Sequence, residues 1–155
     1  MRFLLTLGFS VLSHPTFAQD ALFGLAGNWA GAGTYLDRNI EEDVRCRISV
    51  TTTDAKTDVV GICASARRNE DVDFSIMRTS DGRLMSRQEN ANSLRRPVVL
   101  EGVLEDNGLQ LSGQQGAEET RLTMHLTEAG KMEMVIVIAS AARTRTSTLL
   151  FTRRQ

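Results

Sequence analysis

Proline and lysine are nearly absent from this chain, with two of each in 155 residues. Aromatic side chains make up 5% of it, with one tryptophan and one tyrosine. That scarcity leaves no stacking platform for sugars, so a pair of acids alone does not point to glycoside hydrolysis. There are two histidines, His14 and His125, a poor start for a zinc site, which takes three or four His, Cys or carboxylate ligands. A histidine-based triad would also need a serine presented on a Gly-x-Ser-x-Gly elbow, and none occurs. No glycine-rich phosphate loop precedes a helix. Charge of one sign is missing too. Eighteen basic residues face 19 acidic ones, so nothing electrostatic favours nucleic acid as a partner. There is no low-complexity stretch and no fixed-period repeat. These absences predict a protein that is not an enzyme.

Long hydrophobic runs are also lacking. The longest candidate is Phe3, Leu4, Leu5, Leu7, Phe9, Val11 and Leu12 behind Arg2, short of the roughly 20 residues a membrane-spanning helix needs. Pro15 breaks it, and Thr16-Phe17-Ala18 offers small residues at the first and third places of a cleavage site. Residues 1–18 are therefore expected to be a signal peptide, and 19–155 one exported domain, periplasmic or secreted. No cysteine follows the cut, so a lipid anchor is not expected. Removing Arg2 takes the net charge from -1 to -2, and removing His14 leaves His125 as the sole histidine.

What the mature chain does have is alternation. Val44, Cys46, Ile48 and Val50 share one face, with Arg45, Arg47, Ser49 and Thr51 on the other. Similar patterns cover Asn28 to Leu36, Thr57 to Ala66, Asp71 to Thr79, Pro97 to Glu105, Thr120 to Thr127 and Thr146 to Arg154. Arg83 to Gln88 and Leu109 to Gln115 are weaker. Lys131 to Ala141 is apolar on both faces and predicts a strand covered on both sides. Turn signals such as Ser80-Asp81-Gly82 and Asp106-Asn107-Gly108 separate them. Asn90 to Arg96 reads as a loop, and helix is expected only near Asp20 to Leu25. Successive short strands with tight turns predict an all-β, single antiparallel meander β-barrel of about eight to ten strands, which removes exposed edges. A two-sheet sandwich is the alternative.

Cys46 and Cys63 form an isolated even pair in an exported chain, most simply a disulfide. If Thr53-Asp54-Ala55-Lys56 is a hairpin turn, the two cysteines oppose each other directly. The same register pairs Ile48 with Gly61 and Val50 with Val59, joining the apolar faces.

Leu25-x-Gly27-x-Trp29-x-Gly31-x-Gly33 resembles the opening strand of calycin-type barrels, the lipocalins and nitrobindin-like proteins. Physically, Trp29 is a large plug for one barrel end, and Gly31 and Gly33 let the strand bend. The resemblance implies a late-strand arginine over that tryptophan, here Arg153 or Arg154. Nitrobindin-like proteins hold haem through a late histidine. Here His125 lies on the polar face beside Arg121, Thr123 and Thr127, so no cofactor and no metal are expected.

Two functions remain in view. The first is an interior cavity for a small hydrophobic molecule, lined by Met124, Met132 and Met134 with Val98, Leu100, Ile136 and Ile138. The methionines would serve ordinary core packing equally well. The second is an envelope interaction protein or protease-inhibitor-like module that takes no small ligand and uses the 90–96 loop on a protein partner. Acidic runs such as Glu41-Glu42-Asp43 and Glu118-Glu119 read as solvated edges. Arg67-Arg68, Arg95-Arg96, Arg143 and Arg145 read as solubilising charge.

Overall fold

The computed structural model describes residues 21–88 and 98–154. A one-turn helix, α1 (Ala21–Leu25), leads into ten strands: β1 (Gly27–Asp37), β2 (Ile40–Thr52), β3 (Lys56–Ala64), β4 (Asn69–Arg78), β5 (Leu84–Gln88), β6 (Val99–Glu105), β7 (Gly108–Gln115), β8 (Glu118–Leu126), β9 (Met132–Ala139) and β10 (Thr144–Arg153). Each strand pairs antiparallel with its sequence neighbours, and β1 pairs with β10 from Trp29↔Arg153 to Asp37↔Arg145. That last ladder closes the barrel and excludes a sandwich. The weak patterns at Arg83 to Gln88 and Leu109 to Gln115 are both strands, which settles ten over eight.

The period of two explains which side chains enter the barrel. From β2, Cys46, Ile48 and Val50 point inward; from β8, Leu122 and Met124; from β9, Met132 and Met134. The β2–β3 register places Cys46 opposite Cys63, Ile48 opposite Gly61 and Val50 opposite Val59. A disulfide joins the two cysteines. His125 stands on the outer face, with its Nε2 3.1 Å from Glu133.

One expectation fails. β9 is not covered on both faces, because Val135 and Val137 are only half-buried on the outer wall. A closed barrel has a single interior, so an apolar outer face on β9 reflects the fit of β-branched residues to a pleated surface, with no second layer above it.

The meander sorts its turns between two ends. The hairpins at 53–56, 79–83, 106–107 and 127–131 lie at one end with α1. There Leu22 and Leu25 are buried, and the Trp29 Nε1–H donates to the Leu25 carbonyl at 2.8 Å. The Thr52 hydroxyl ties the helix down by donating to the Leu22 carbonyl at 3.2 Å. Phe151 is fully buried over Gly31, where a Cβ would fall within its ring. Burying such a phenyl ring stabilises the fold by about 2–3 kcal/mol. Gly33 serves the same bend in β1, since a Cβ there would strike the Thr148 carbonyl. This end is closed and solidly packed.

Candidate ligand cavity

The opposite end carries the turns at 38–39, 65–68, 116–117 and 140–143. The barrel is hollow there. One lobe of about 220 Å³ is walled by Val44, Cys63, Val72, Phe74, Ile136 and Leu149. A second lobe of about 290 Å³ includes Val98, Leu100, Leu122 and Ile138, and shares Glu70, Phe74 and Ile136 with the first. Inward positions in the half that holds Trp29 carry large, fully buried side chains such as Phe151, Met124 and Met132, whereas Tyr35 and Ser147, which meet across the β1–β10 ladder near the mouth, border the first lobe. The interior therefore changes from filled to open along the barrel axis.

Ion pairs ring the mouth. Arg143 pairs with Asp37, and its Nε donates to Oδ1 at 2.6 Å. That hydrogen bond holds the Asp37 carboxyl below the usual carboxylate range. Arg145 Nη2 donates to Glu118 at 2.6 Å, and Arg68 Nη1 to Glu70 at 3.1 Å. The Arg68 guanidinium also lies 4.6 Å from the Tyr35 ring centroid. Its interaction with Tyr35, then its hydrogen bond to Glu70, raises its already high pKa. Glu42 is nearly enclosed, with a side chain 8% exposed. Its Oε2 accepts from the Ser65 hydroxyl at 2.8 Å, and its Oε1 has Arg67 at 3.6 Å.

Of the expected lining residues, Val98, Leu100, Ile136 and Ile138 border the hollow. Met124, Met132 and Met134 do not. They are buried in the packed half, where Met124 pairs with Met134 and Met132 lies opposite Phe151. A thioether chain fills irregular volume in a core as readily as in a pocket. At the closed end, Arg153 is the arginine over Trp29, 4.5 Å from the ring centroid. Its guanidinium also donates to the Gly24 carbonyl at 2.9 Å and to that of Ala26. The Arg154 side chain is exposed, and its backbone N–H donates to the Asn28 carbonyl.

Sequence reasoning missed the mouth. The run Glu41-Glu42-Asp43 reads as solvated, yet Glu42 shares its parity with Val44 and Cys46, and that parity is the signal for its inward placement. Tyr35 lies two places beyond Gly33 on the same face. Arg68 sits in a turn, where alternation carries no information. Among the described residues no group of three or more His, Cys, Asp or Glu is gathered to hold a metal ion. No helix among them is long and apolar enough to cross a membrane. The 90–96 loop, on which the interaction-protein reading depended, lies outside the described residues.

No family model matches the chain, and no curated protein does. Among solved structures, the barrel is similar to the S-type phycobiliprotein lyase CPES from Guillardia theta. The match has a TM-score of 0.67 and covers 86% of this chain and 90% of that one, at 10% identity. The shared feature is the fold, a calycin-like barrel. This finding corrects one expectation. A barrel of this architecture belongs to a protein named as a lyase, so missing hydrolase and zinc motifs do not place this chain among non-enzymes.

Proposed function

We propose that this protein is an exported barrel that binds a small hydrophobic molecule in the open half of its interior. The observation that carries the proposal is the change along the barrel axis. Trp29, Phe151 and the methionines pack one half, while the other keeps two adjoining apolar lobes open to the mouth. Concave, mostly apolar sites with a few fixed polar groups are the usual form of small-molecule pockets. Ile136 and Phe74 border both lobes, so one elongated ligand could occupy them together.

Export rests on the sequence of residues 1–18, a short apolar run followed by Thr16-Phe17-Ala18. The disulfide agrees with an oxidising compartment. The lyase neighbour supports the reading only in that its fold is the same. A periplasmic or extracellular fraction of the native source is the place to look. Protein purified from it, analysed by native mass spectrometry and by its absorption spectrum, should carry an added small-molecule mass that denaturation releases. A bare polypeptide mass from several independent preparations would count against the reading.

A further inference from the structure

The charges at the mouth narrow the ligand class. Among the described residues the first lobe is bordered by Glu42, Glu70 and Asp71, against a single base, Arg68. That base is already engaged, by Glu70 at 3.1 Å and by the face of Tyr35 at 4.6 Å. Glu42 is in the opposite situation. It is nearly enclosed and adjoins Val44 and Cys63 on the apolar wall. Ser65 satisfies Oε2, while among the described residues the only cation paired with Oε1 is Arg67 at 3.6 Å, beyond hydrogen-bond length. The Arg67 side chain is 66% exposed, so solvent weakens its hold. A carboxylate oxygen with spare acceptor capacity in a largely apolar pocket is best matched by a charged N–H donor.

Building on the cavity reading above, we infer that the ligand is a hydrophobic molecule bearing a basic nitrogen, whose protonated form is anchored by Glu42 Oε1. The apolar body lies along Phe74 and Ile136 toward the second lobe. The ammonium group sits at the mouth, between Glu42 and Glu70. An anionic amphiphile would instead have to displace Glu70 from Arg68 and lie beside two further acids.

Three probes of equal length test this: decylammonium, decanoate and decanol, each titrated below its micellar concentration into the disulfide-intact protein by calorimetry. Decylammonium should bind more tightly than decanol, and decanoate more weakly than both. Glu42→Gln should weaken decylammonium about tenfold, the worth of one hydrogen bond to a charged group, and leave decanol unchanged. Trp29 emission reports whether that variant keeps its fold. If it does not fold, the ranking of the three probes on the unaltered protein still decides. Decanoate binding as tightly as decylammonium, or an unchanged affinity in Glu42→Gln, overturns the inference. Decanol binding with no gain from the amine overturns it too and leaves the cavity reading standing. If none of the three binds, both readings fall.

Discussion

Replacing Arg153 by alanine should open the seam between the ends of β1 and β10. The guanidinium makes three contacts there: the Trp29 ring at 4.5 Å, the Gly24 carbonyl at 2.9 Å and the Ala26 carbonyl. It also fastens the segment that carries α1 to the last strand. Arg153 is exposed, so each contribution is taken at the low end of its range. The cation–π contact is worth about 0.5–1 kcal/mol. The two hydrogen bonds add roughly 0.5–1 kcal/mol each. The sum is about 2 kcal/mol, or a fall in urea midpoint of about 1 M for a domain of this size. Trp29 is the sole tryptophan, so its emission follows unfolding at the site of the change. Arg153→Lys keeps the charge but loses the planar fork, and should recover less than half of the loss. Arg154→Ala should change almost nothing, since Arg154 joins the seam through its backbone N–H. If Arg153→Ala stays within about 0.5 kcal/mol of the parent, or if Arg154→Ala costs more, the account of this end is wrong.

Removing the disulfide with the double change Cys46→Ala, Cys63→Ala should cost ~3 kcal/mol in urea unfolding, the chain-entropy value for a loop of this size. Gly31→Val should lose about 1–3 kcal/mol in the same assay by driving the Phe151 ring off β1, with a changed Trp29 spectrum. A preserved spectrum and stability would show that Gly31 is not what admits the ring. Amino-terminal sequencing of protein from the extracytoplasmic fraction should begin at Gln19. Material that retains Met1 would contradict export by cleavage.

Alternation and turn chemistry made the barrel legible. Every strand begins and ends within a few residues of its pattern, because each wall has a single wet face and parity alone separates the two. The cysteine register followed from symmetry about the 53–56 turn, and the β2–β3 ladder has that register. What alternation could not supply was depth. Met124 and Ile136 both point inward, yet Met124 lies in the packed half and Ile136 borders the hollow. Position along the barrel axis depends on strand tilt and on what plugs each end, and neither is written in a period of two. The mouth was harder still. Arg68 reaches Tyr35 from a turn, and Arg145 meets Glu118 across an intervening strand. Such contacts join elements that are not ladder neighbours, and alternation along one strand does not encode them.

The central claim is that the open half of the barrel is a binding cavity, and filling it is the most direct test. N-phenyl-1-naphthylamine, a neutral apolar dye that brightens out of water, should titrate the disulfide-intact protein to one site per chain. Ile136→Trp places an indole where the two lobes meet and should abolish the signal while the urea midpoint stays near that of the parent. Dye that does not saturate, or that binds the filled variant as well as the parent, would contradict the account.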